Sequence, residues 1–103
     1  MSEKLPKLIA MLEKQPNDPF LLYGIAIEHK NANDPTNAIA YLDRCIDADP
    51  NYCYAYFQRG QVCEMKGDTE GARQSYNDGI AAAKRAGDAH ALSEIDGALQ
   101  MLG

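Results

Sequence analysis

A chain of 103 residues that overlays on itself when shifted by 34 has few folds open to it. The shift brings Asp34 onto Asp68, Ala38 onto Ala72, Leu42 onto Tyr76, Cys45 onto Gly79 and Ile46 onto Ile80. In the other direction it brings Leu42 onto Leu8, Ile46 onto Leu12 and Pro50 onto Pro16. The segments just upstream match at a spacing of 36: Phe20 with Tyr56, Gly24 with Gly60, Ala26 with Val62 and Ile27 with Cys63. That difference of two predicts a short insertion at residues 30–33, before Asp34. A period of this length means a repeated supersecondary unit that buries its apolar face only against its neighbours.

Local punctuation places the helices. Asp18-Pro19 and Asp34-Pro35 each supply an N-cap acceptor followed by a proline at the first helical position. Gly67-Asp68 and Gly87-Asp88 each end one helix on glycine and cap the next with aspartate. Six helices are predicted, at 3–15, 19–31, 35–48, 52–66, 69–86 and 89–102. Pro6 falls early in the first, where little backbone bonding is lost. The chain reads as one all-α domain of antiparallel helical hairpins: an N-terminal half-unit helix (1–16), a first repeat (17–50), a second (51–86) and a C-terminal capping helix (87–103).

Composition narrows the function. A formal net charge of -5 opposes sequence-independent binding to nucleic acid, which needs a basic footprint, and to an anionic membrane surface. No apolar run approaches the roughly 18 residues of a membrane span. The stretch 1–16 is charged at both ends and does not read as a secretory signal. Three cysteines (Cys45, Cys53, Cys63) without a C-x-x-C pair point to a reducing, cytoplasmic setting.

The repeat resembles the tetratricopeptide family, a helix-turn-helix unit of about 34 residues. In the second unit the residues carrying the resemblance are Tyr56, Arg59-Gly60 and Cys63, then Ala72, Tyr76 and Gly79, with Lys84 where proline is usual. In the first they are Phe20, Tyr23-Gly24 and Ile27, then Ala38, Leu42, Cys45 and Pro50. Arg59 stands where an apolar residue is usual, so its guanidinium must reach water or a carboxylate. Two units are few, and the outer helices must complete the core. The stripes Leu5, Leu8, Ile9, Leu12 and Leu92, Ile95, Leu99, Leu102 suit them to it.

On the 52–66 helix, Tyr54, Phe57, Gln61 and Glu64 form a second stripe, apart from the face turned to the partner helix. The 36-residue spacing pairs them with Asp18, Leu21, Ile25 and Glu28, and with His90, Ser93, Gly97 and Gln100. The resemblance implies that such stripes line a concave groove holding a partner peptide or helix. Its floor would be Leu21, Ile25, Tyr54 and Phe57, its rim Glu28, Gln58, Gln61 and Glu64, with Leu22 and Met65 at the edges. The competing expectation is that Tyr54 and Phe57 pack on the 19–31 helix or the C-terminal helix and leave no groove. One subclass of the family grips a C-terminal carboxylate with basic groove residues, and these positions lack them. The expected function is a non-enzymatic adaptor for another protein's apolar or partly basic segment. The alternative is self-association through the same stripe as a homo-oligomer.

Chemistry is sparse. Cys45 and Cys63 fall at helix-packing positions, while Cys53 opens a helix, where the dipole would lower its pKa and exposure would leave it oxidisable, although no redox role is expected of it. His29 and His90 are isolated, no metal-ligand spacing occurs, and the glycines form no phosphate cradle. No catalytic residue, cofactor or metal is expected.

Overall fold

The computed structural model describes residues 3–102. Among them are six helices and no strand: α1 (Lys4–Lys14), α2 (Pro19–Asn31), α3 (Pro35–Ala48), α4 (Cys53–Met65), α5 (Thr69–Ala86) and α6 (Ala89–Leu102). The most extensive pairings are α4 with α5 and α2 with α3, two hairpins in a row. α1 packs on α2 and α6 on α5, closing the array at either end.

The punctuation works as the local chemistry dictates. The Asp18 carboxylate accepts from the amides of Phe20 and Leu21, Asp34 from Asn37, Asp68 from Gly71 and Asp88 from Ala91. Each bond satisfies an amide that the helix start leaves without a partner. Gly67 and Gly87 take φ of 78° and 67°, where a side chain is disfavoured. Asn33 holds the same left-handed conformation, φ 60°, at the end of α2.

The α2–α3 and α4–α5 turns are the same turn. Asp34 N donates to His29 O and Asp68 N to Cys63 O, both 34 apart, and α2 and α4 also begin and end 34 apart. The insertion expected at 30–33 does not exist, and the 36-residue match of α2 to α4 is two residues out. In the observed register Leu22 matches Tyr56, Ile25 matches Arg59 and Ala26 matches Gly60. All but Arg59 of these are buried. The misreading came from pairing one glycine with another. Ala26 is the small residue packed in the first unit, whereas a Cβ on Gly24 would meet only Leu8, at 3.6 Å. Phe20, taken for a packing aromatic, is 71 % exposed.

The core has two parts. One gathers Leu12, Leu21, Leu22, Ile25, Ala26, Ala38, Leu42, Cys45, Ala55 and Val62. The other gathers Cys53, Cys63, Ala72, Tyr76, Ala83, Ala91 and Ile95, and Ile39 packs against both. Leu12 and Ile95 anchor the outer helices, but Ile9 is exposed rather than part of the packed stripe.

Arg59 solves its own burial. Its Nε donates to Ser75 Oγ (3.0 Å), Nη1 to Asp43 (3.0 Å) and Nη2 to Asp78 (3.4 Å), while the guanidinium lies over the Tyr56 ring, 5.4 Å from its centre. It ties α3 to α5 through α4, one unit to the next.

Candidate functional site

The corrected register changes which residues share the face expected to bind. The α4 stripe stands as Tyr54, Phe57, Gln61 and Glu64, but its counterparts on α2 are Phe20, Tyr23, Ile27 and Lys30. Leu21, Leu22 and Ile25 are core residues, 4 %, 1 % and 0 % exposed, and no partner can reach them. Glu28 matches Val62, on the flank away from the stripe. Local spacing in α2 does not separate these flanks, yet a shift of two residues rotates a helix position by about 200°.

Tyr54 and Phe57 are half-buried and packed edge to face, ring centres 6.3 Å apart. Phe57 rests on Tyr76 of α5 at 6.2 Å, so part of each ring serves the core. The Tyr54 hydroxyl donates to Glu94 Oε1 at 2.7 Å, and the same oxygen lies 2.7 Å from His90 Nε2. That bond to a carboxylate favours the protonated phenol and pushes Tyr54 up to about 12.

Beside the aromatic pair lies an open cleft of about 440 Å³ lined by Lys30, Gln61, Glu64 and Met65. Lys30 Nζ donates to Gln58 Oε1 at 2.7 Å and to Gln61 Oε1 at 2.8 Å, and partial burial lowers its pKa. Glu64 accepts a short hydrogen bond from the Tyr76 hydroxyl. Met65 is 45 % exposed at the edge. Lys30 is the residue that sequence reasoning missed. It stands 34 before Glu64, so the correct period would have found it.

The thiols offer no chemistry at this face. Cys45, Cys53 and Cys63 are free and buried. Cys53 is 6 % exposed, and burial, helped by Asp88, raises its pKa; the exposed, oxidisable thiol expected there is absent. Burial pushes Cys45 up to about 12. His29 stacks on Tyr41 at 5.5 Å and sits 3.7 Å from Asp34 at the end of its helix. Among the described residues no group of three or more His, Cys, Asp or Glu could hold a metal, and no helix is long and apolar enough to cross a membrane.

Comparison with known proteins agrees with this architecture. Two family models described as tetratricopeptide repeat match residues 21–52 and 41–74. A TPR repeat-containing protein of Pseudomonas aeruginosa is 33% identical over 95 residues, covering 92% of this chain and 88% of that protein. The solution structure of a tetratricopeptide repeat domain protein from Salinibacter ruber superposes with a TM-score of 0.79 at 31% identity, over 84% of this chain and 88% of that one. A solution structure of a protein from Bordetella parapertussis reaches 0.84 at 28% identity, over 99% and 89%. With its two 34-residue hairpins, its small-residue helix contacts and these relatives, the chain belongs to the tetratricopeptide repeat family.

Proposed function

We propose that this protein is a non-enzymatic adaptor that holds a segment of another protein along the face formed by α2, α4 and α6. The observation that carries the reading is the Tyr54–Phe57 pair, half-exposed beside the cleft of Lys30, Gln61, Glu64 and Met65. Rigid aromatics next to an open apolar-and-polar cleft are what short-segment recognition uses. Gln58 and Gln61 hold Lys30 in place, and Phe20, 71 % exposed, extends the aromatic face along α2. The rim carries Glu64 and Glu94 against Lys30, which favours an apolar segment bearing a basic residue. Three free thiols fit a reducing compartment, so the cytoplasm is part of the same proposal.

The test is affinity capture from native lysate with wild type and with Tyr54→Ala/Phe57→Ala, compared by mass spectrometry. A partner retained by wild type should bind the double variant more than tenfold more weakly, about 2 kcal/mol, with helicity intact. Equal capture by a folded double variant overturns the assignment of this face.

A further inference from the structure

The two outer helices each leave uncovered a flank that the inner units cover. On α1, Leu8 and Met11 stand 34 before Leu42 and Cys45 and 68 before Tyr76 and Gly79. All four of those residues are buried, yet Leu8 is half-buried and Met11 is 53 % exposed. On α6, Leu92, Asp96 and Leu99 stand 36 after Tyr56, Gly60 and Cys63, which are buried; the α6 residues are only half-buried. Among the described residues α1 packs on α2 alone, so it is the second helix of a hairpin without its first. Among the described residues α6 packs on α5 and α4 in the manner of a hairpin's first helix, and no second helix is among them. We propose that a second copy of this chain covers both: α6 of one copy and α1 of the next form a composite hairpin, head to tail.

Three observations select this occupant. The first is size. Within the second unit a Cβ on Gly60 would meet the Tyr76 ring and one on Gly79 would meet Tyr56, so large faces small twice. The same pairing in the composite sets Leu8 against Asp96 and Met11 against Leu92, replacing each aromatic–glycine pair by two side chains of middling size. The second is a seat. A depression of about 280 Å³ at the α5–α6 corner, lined by Ala83, Lys84, Gly87, Asp88, Ala89 and Leu92, opens where Met11 of the next copy would lie. The third is charge. α1 and its cap carry Lys4, Lys7 and Lys14 against Glu3 and Glu13, while α6 and its cap carry Asp88, Glu94 and Asp96 with no lysine or arginine. Opposite ends attract, and lysines beside Asp96 offset the cost of covering its carboxylate.

Such an interface uses two different surfaces and need not close, so growth continues past a dimer. It lies off the Tyr54–Phe57 face and does not depend on the adaptor reading. The experiment is light scattering over a concentration series on wild type, Met11→Asp and Leu92→Asp, with circular dichroism as the folding control. Wild type should rise from 11.3 kDa past two chains without a plateau, and less so at high salt. Each variant alone should associate at least tenfold more weakly. Their equal mixture should regain mass and stop at two chains, because it holds one intact junction and one doubly blocked. If Leu92→Asp loses helicity, Met11→Arg and Asp96→Arg apply the same logic. A wild type that stays monomeric, a plateau at the dimer, or a mixture that stays monomeric overturns the proposal.

Discussion

The ring of Tyr76 lies directly over the α-carbon of Gly60: a Cβ built on Gly60 would come within 2.2 Å of Tyr76 Cε1. This single approach sets how closely α4 and α5 pack, and Tyr76 is wholly buried by it. Gly24, by contrast, has room for a methyl group 3.6 Å from Leu8. Gly60→Ala should destabilise the fold by about 2 kcal/mol through overpacking. Gly24→Ala should stabilise it by up to about 1 kcal/mol through helix propensity. Thermal melts of the two variants check both signs, and a stabilising Gly60→Ala would refute the packing described.

Arg59 joins the two units through Asp43, Ser75 and Asp78, with its side chain 19% exposed. Asp43 and Asp78 are 53% and 43% exposed, so water screens each pair and neither is worth much alone. Arg59→Ala should cost about 2 kcal/mol, mostly from lost stacking on Tyr56 and the lost donor to Ser75 Oγ, whose own hydroxyl stays bonded to Gly71 O. A double-mutant cycle with Asp43→Ala should return a coupling of no more than about 1 kcal/mol. Urea denaturation of the four proteins measures it.

Alkaline pH should unfold this protein early. Burial pushes Tyr52 up to about 12, the Glu94 carboxylate does the same for Tyr54, and burial with the Glu64 bond raises Tyr76 further. Burial pushes Cys45 up to about 12. Unfolded, a tyrosine titrates near about 10 and a cysteine near about 8.5. Between those values and the raised ones the folded state holds protons that the unfolded chain has released. Stability is therefore complete below about pH 8.5 and falls as pH rises towards about 12. Melting temperature against pH should show this decline, and Tyr54→Phe should make it shallower. A melting temperature flat across that range would contradict it.

Much of the fold was legible in the sequence because its signals are local. Asp18, Asp34, Asp68 and Asp88 cap helices through bonds spanning two or three residues, and Gly67 and Gly87 end them through their own backbone freedom. No distant contact is needed for either effect, so the six helices fall within a residue or so of their expected ends. The need of Arg59 for water or a carboxylate followed equally from its type and position, and packing chose the carboxylates of Asp43 and Asp78. The α4 half of the candidate site, Tyr54, Phe57, Gln61 and Glu64, was legible from helical spacing alone.

Tertiary structure alone decided the rest. Whether Gly24 or Ala26 approaches α3 depends on which flank of α2 meets it, and both residues are small enough to qualify. That choice moved Leu21, Leu22 and Ile25 into the core and brought Lys30 to the cleft, where Gln58 and Gln61 from another helix fix its ammonium group. The dipole at the start of α4 is a local property that would have activated Cys53, but burial under neighbouring helices outweighs it. Helix boundaries come from bonds a few residues long, whereas the face each helix buries comes from contacts between residues far apart in the chain, and only packing settles those.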